Sequence, residues 1–121
     1  MKNSIELNFN GTKLEFFYGL SFLGEFLENE GLDISDVNDR IISKSISFIP
    51  KLMFASYLHN CERKDIKPSI TKLDLIDLIE QTNHFKDDSE AGKFVEAFYK
   101  SVFVTFGIEE NKSDKPSEKK N

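Results

Sequence analysis

The sequence predicts an α+β fold in which an N-terminal two-stranded antiparallel β-hairpin packs on a bundle of four to five α-helices. Three observations lead to this prediction. Two alternating apolar runs flank an Asn-Gly dipeptide near the N-terminus, several later segments repeat apolar residues at helical spacing, and residues 46–60 are apolar on nearly every side. A helix of the last kind must be covered on several sides. We therefore expect the other elements to pack around it.

The hairpin prediction covers residues 4–18. Asn10 and Gly11 tolerate the positive φ angles of a type I′ turn, and they separate two runs in which apolar and polar residues alternate. Phe17 projects to the opposite face, where it either lies over a lysine stem or is an exposed contact. The predicted buried face of the hairpin consists of Ile5, Leu7, Phe9, Leu14, Phe16 and Tyr18.

The first two helices follow directly. Residues 20–30 have an amphipathic pattern with Leu20, Leu23 and Leu27 on one row, and Gly31 is suited to the left-handed conformation that ends helices. The next segment predicts a short helix capped by Asp33 or Ser35. Its inward residues are predicted to be Val37, Ile41 and Ile42.

Pro50 leaves two alternatives for the start of the central helix. If Ser47 is the N-cap, the proline falls in the first turn, where its missing N–H matters little. If the helix instead begins at Asp36 and runs through, Pro50 would kink it.

Two further helices complete the predicted bundle. Thr71 followed by Asp74 resembles a capping box, and the helix that it opens should end near Asn83. Ser89 then caps the last helix, which ends at Gly107. The broad apolar face of that helix consists of Ala91, Phe94, Val95, Phe98, Tyr99, Val102, Phe103 and Phe106.

The length of 121 residues suits a single domain, which we place at residues 1–107. From Glu109 onward no large apolar residue occurs. A segment of that composition cannot offset the entropy lost on ordering. We therefore predict a disordered charged tail over residues 108–121.

Composition narrows the functional classes. A net charge of −5 argues against a nucleic-acid partner, which normally requires a basic face. Cys61 is the sole cysteine, and no apolar run reaches the 18 residues of a membrane span. These features predict a soluble cytoplasmic protein with no membrane partner.

An acidic run distinguishes one stretch of the chain. Residues 25–39 contain six carboxylates and no lysine or arginine. The run is either a solvated outer face or a docking patch for a basic partner. In the second interpretation Glu25, Glu28 and Asp36 are the partner-binding residues, with the surface around Phe17 as a further candidate.

We find no pattern that predicts catalysis. His59 and Cys61 are two residues apart and point about 200° apart on a helix, so they cannot bind one metal ion together. His84 supplies no obvious third ligand. Asp74 and Asp77 share a helix face, but Asp74 is better explained by the helix N-terminus. We predict no catalytic, cofactor-binding or metal-binding residues, and no enzyme.

The order of elements resembles a known family. The hairpin IELNFNGTKLEFFYG runs straight into the helix SFLGEFLENEG. The central helix IPKLMFASYLHN, the proline-led helix KPSITKLDLIDLIEQ and a final helix with a charged tail follow. This arrangement, over about residues 4–106, is similar to the small tail assembly chaperones of long-tailed bacteriophages.

The resemblance implies a non-enzymatic protein of the host cytoplasm. Such a chaperone binds the phage tape measure protein, keeps it soluble and helps recruit the tail tube protein. No family motif marks individual binding residues. Two alternatives remain: a structural tail-completion or connector subunit retained in the virion, and a small bacterial regulatory or interaction domain. Self-association as a homo-oligomer also stays open.

Overall fold

The computed structural model describes residues 3–107, except for the side chain of Phe103. The predicted tail at 108–121 lies outside the described residues. The described elements are β1 (Ser4–Phe9), β2 (Thr12–Phe17), α1 (Leu20–Glu30), α2 (Ile34–Ser43), α3 (Ser45–Lys64), α4 (Lys72–Gln81) and α5 (Glu90–Thr105). The predicted α+β fold, an N-terminal antiparallel hairpin on a bundle of five helices, is confirmed.

The hairpin forms as its sequence predicts. β1 and β2 pair antiparallel, with Leu7 opposite Leu14. Asn10 has φ of 54° and Gly11 has φ of 102°, so both turn residues occupy the positive-φ region that a type I′ turn needs. One face of the hairpin is buried in the core, through Leu7, Phe9, Leu14 and Phe16.

The central position of α3 is also confirmed. This helix contacts β2 and each of the other four helices. Ser56 of α3 is fully buried and donates to the backbone carbonyl of Phe17 at 2.7 Å. Ser101 of α5 donates to the carbonyl of Tyr18 at 3.3 Å. The corner between the hairpin and α1 is therefore held by hydrogen bonds from two helices.

Neither predicted start of the central helix is correct. The break lies at Lys44, whose N–H donates to Arg40 of α2 and whose carbonyl accepts from Phe48 of α3, both at 2.8 Å. Because α3 begins at Ser45, Pro50 is its sixth residue and lies beyond the first turn. A proline there removes one intrahelical hydrogen bond. The helix persists because its packing against five elements outweighs that loss.

The predicted N-caps at Thr71 and Ser89 are confirmed, and of the two candidates for α2 the cap is Asp33 and not Ser35. Asp33 forms a capping box with Asp36, and Thr71 forms one with Asp74. Ser89 accepts from the N–H of Gly92 at 3.0 Å. These bonds satisfy N–H groups that have no partner within their own helix.

Several apolar residues predicted to face inward are instead exposed. Leu20, Ile42 and Ile46 expose 69%, 72% and 81% of their surface, and Phe106 exposes 51%. Each lies in the first or last turn of a helix or just after it. The prediction that these residues face inward is wrong; on α2, Ile41 is buried, and Ile42 points about 100° away from it. None of the described helices is long and apolar enough to cross a membrane.

Candidate functional site

The three predicted acidic residues do not form one patch of available carboxylates. Glu28 is exposed on α1. Glu25 is exposed too, but its Oε1 lies 3.2 Å from Nδ1 of His59 on α3. Asp36 is half-buried and accepts from the backbone N–H of Asp33 at 3.0 Å as part of the capping box. Two of the three carboxylates therefore have structural partners.

Phe17 is not an exposed contact, so this part of the prediction is wrong. Its side chain is only 7% exposed because α3 covers the second face of β2. The ring stacks on His59 with a centroid distance of 5.5 Å, and the guanidinium carbon of Arg63 lies 4.1 Å above its centre. An arginine, rather than the expected lysine stem, lies over Phe17.

His59 of α3 faces α1. Its side chain is 12% exposed, and its Nε2 lies 2.9 Å from the hydroxyl oxygen of Ser21 on α1. The same oxygen accepts a hydrogen bond from Arg63 at 3.2 Å. Ligand atoms of Glu25, His59 and Glu62 lie within 4.8 Å of one another. The sequence analysis considered His59 together with Cys61. It missed the set of Glu25, His59 and Glu62 because Glu25 comes from another helix. Cys61 is buried in the core, 2% exposed.

An apolar groove of about 220 Å³ lies between the start of α3 and the end of α4. Ile46 and Pro50 line one wall and Ile76 and Ile79 the other, with Phe85 beyond the end of α4. Glu80 and His84 supply polar edges. Leu73, which is 72% exposed, lies one turn of α4 before Ile76 and extends the apolar surface.

A cationic cleft of about 460 Å³ adjoins the apolar groove. Ser47 and Lys51 of α3 line it one residue after Ile46 and Pro50, the two α3 residues of the groove. Lys72 lines it from α4, one turn before Ile76. Arg40 and Lys44 add two further cations, and Lys51 pairs with Glu30 at 2.7 Å. An acidic protein thus presents clustered positive charge beside its apolar groove.

The sequence contained a partial signal for this surface. The pattern of residues 46–60 predicts a helix that is apolar on nearly every side, and we interpreted it as a helix covered on several sides. The exposed Ile46 shows that part of this surface is left open at the first turn of α3. The cation cluster could not be predicted, because its members come from three helices.

The resolved pKa shifts have structural causes. Lys64 donates to Glu15 and lowers the pKa of that carboxyl, partly offset by burial, and Ser4 also donates to it. Burial raises the pKa of the Tyr18 and Tyr99 hydroxyls. Hydrogen bonds from Ser35 and from the backbone of Asp36 lower the pKa of Asp33, the cap of α2.

Comparisons with protein families, with curated proteins and with solved structures find no match to this chain.

Proposed function

We propose that this protein is a non-enzymatic tail assembly chaperone that binds the phage tape measure protein through the apolar groove between α3 and α4. Exposed apolar surface at the groove is the observation that carries the proposal. The resemblance in the order of elements supports the choice of client, and assistance to the tail tube protein belongs to the same proposal.

The occupant that fits the groove is an amphipathic helical segment of the client. Its walls are two helices, and most of the side chains that line it are aliphatic or aromatic. Grooves of this type receive the apolar stripe of a helix through residues at i, i+3, i+4 and i+7. A long helical client needs such cover along its apolar stripe until assembly buries it.

Charge complementarity adds to the apolar contact. Lys72, the first residue of α4, lines the cationic cleft together with Arg40 and Lys44. An acidic residue of the bound segment that reaches this cleft would meet these cations. Electrostatic pairing of this kind raises the association rate and fixes register more than it raises final affinity. It therefore suits a client that must later be released.

We expect Ile46→Asp to weaken capture of the co-expressed tape measure protein by at least about tenfold, which corresponds to roughly 1.4 kcal/mol of lost binding free energy. Ile46 is 81% exposed, so the fold should tolerate the change. Leu20→Asp is the matched control, because Leu20 is also exposed at a helix start but does not line the groove. A pull-down from lysate with quantified client measures both variants.

A second pair of variants tests whether the client binds beside the groove or at the acidic run. Lys72→Glu should weaken capture at low salt, and wild-type capture should fall between about 50 and 300 mM salt as charges are screened. Glu28→Lys should leave capture unchanged.

Loss of capture by Glu28→Lys together with normal capture by Ile46→Asp would contradict binding at the groove and support binding at the acidic run. Mass spectrometry that finds the protein in purified virions would instead indicate a retained tail subunit.

A further inference from the structure

We propose that Glu25, His59 and Glu62 form a binding site for a divalent transition metal, for which Zn²⁺ is the probe, and that the bound ion links α1 to α3. The site shares no residue with the apolar groove and does not depend on the proposed client.

The spacing of the donor atoms fits one ion. Tetrahedral Zn²⁺ with bonds of 2.0–2.1 Å places its ligand atoms about 3.3 Å apart. Nδ1 of His59 and Oε1 of Glu25 are 3.2 Å apart, and the Glu62 carboxylate completes a set within 4.8 Å. The first pair is thus already at the spacing of two ligands. Glu62 is exposed and lies three residues after His59 on α3, so a rotamer change can bring its oxygen closer.

The imidazole is held in place before any ion binds. Phe17 stacks on the His59 ring, and Phe22 meets it edge-on with centroids 5.9 Å apart. Ligands whose rotamers are locked by packing lose little freedom on binding. His59 therefore supplies a rigid ligand from α3, while the two glutamates supply adjustable ones.

The second ring nitrogen has a hydrogen-bonding partner outside the proposed ligand set. Nε2 of His59 lies 2.9 Å from the hydroxyl oxygen of Ser21. In the metal-free protein Ser21 can donate to Nε2 while Nδ1–H donates to Glu25. When the ion binds Nδ1, the Nδ1 proton leaves, Nε2 gains a proton, and Nε2–H donates to Ser21. This hydrogen bond fixes the tautomer and orients the ring.

The local charges favour a cation on the Nδ1 side. Two carboxylates and a neutral imidazole give that side a charge of −2. The guanidinium of Arg63 contacts Ser21, which places it on the Nε2 side of the ring. One imidazole with two carboxylates suits Zn²⁺. Ca²⁺ takes six to eight oxygen ligands and should not compete effectively.

Isothermal titration calorimetry and thermal unfolding of the untagged full chain test the site. We expect one equivalent of Zn²⁺ to bind and to raise the unfolding temperature, with no comparable effect from Ca²⁺ or Mg²⁺. Glu62→Gln should weaken Zn²⁺ binding by at least about tenfold, since even outer partners of a metal site contribute that much. No described hydrogen bond or ion pair involves the Glu62 side chain, so the variant should fold normally.

Two control variants locate the ion. Glu28→Gln removes an exposed carboxylate from α1 outside the site, and His84→Gln removes the other histidine, so neither should change Zn²⁺ affinity. The proposal is overturned if the wild-type protein binds no Zn²⁺ at a tenfold molar excess of the ion over protein. It is also overturned if Glu62→Gln binds Zn²⁺ as tightly as wild type does, or if wild type binds Ca²⁺ as tightly as Zn²⁺.

Discussion

At the scale of single residues, contacts between distant parts of the chain escaped the sequence analysis. Alternation in β2 placed Phe17 on the second face of the hairpin. The partners that bury it, His59 and Arg63, lie more than 40 residues later. Nothing in the local pattern identifies which side chain will cover an aromatic ring, because a lysine or an arginine stem would serve equally well.

Glu15 provides a residue-scale prediction of pH dependence. Its pKa is lowered chiefly by the hydrogen bond from Lys64. A carboxyl with a lowered folded-state pKa stabilises the fold above its unfolded pKa, and that contribution is lost as the pH falls through the folded-state pKa. Glu15→Gln should therefore reduce the free energy of unfolding by about 0.2 to 1 kcal/mol at pH 7, and by progressively less as the pH falls through the lowered folded-state pKa of Glu15.

Urea denaturation at pH 7 and pH 3 measures this difference. Glu28→Gln is the control for removing one exposed carboxylate. A deficit of Glu15→Gln that is equally large at both pH values would show that packing, and not the ionised carboxylate, is responsible.

At the scale of elements, the features that were predicted correctly depend on residues close in sequence. The N-caps at Asp33, one of two predicted candidates, and at Thr71 each pair with a residue three positions later, and the Asn10–Gly11 turn is local too. The break at Lys44 was missed for the opposite reason. Lysine has no capping chemistry, and the helix start there has no side-chain cap. Only the packing of α2 and α3 places the break.

The capping box of α4 leads to a prediction at this scale. The Thr71 hydroxyl accepts from the N–H of Asp74 at 3.1 Å. Thr71→Ala should lower the free energy of unfolding by about 1 kcal/mol, the usual effect of losing an N-cap. Asp77→Ala, an exposed change in the interior of the same helix, is the control. Equal denaturation midpoints for Thr71→Ala and wild type would mean that α4 docks independently of its cap.

At the scale of the whole molecule, a core of aromatic rings joins the hairpin to the last helix. Phe16 of β2 contacts Phe94 of α5 with centroids 5.6 Å apart, and Phe94 stacks on Phe98. Helical spacing predicted the apolar face of α5, and Phe94 and Phe98 are almost fully buried. The spacing of apolar residues does not show where neighbouring elements stop covering a helix. The groove beside Ile46 was therefore not predicted.

Phe98→Ala tests how strongly this core holds the molecule together. We expect a loss of about 3 to 5 kcal/mol in the free energy of unfolding, since the change empties a buried aromatic site. Phe106→Ala removes the same ring from a half-exposed position at the end of α5 and should have a much smaller effect. Guanidinium denaturation compares the two, and similar losses would contradict the burial of the Phe98 face.

The contact between β1 and α5 has a consequence for synthesis of the protein. The N–H of Asn8 in β1 donates to the carboxylate of Glu90 in α5 at 3.0 Å. This backbone donor of β1 therefore gains its partner only when α5 has been made. At 5–20 residues per second, a ribosome adds the roughly 95 residues from the end of β1 to the end of α5 in about 5 to 20 s. A lone hairpin is marginal in water. Until α5 is made, Phe16 lacks its contact with Phe94, and that part of the apolar face of the hairpin is open to other chains in the cell.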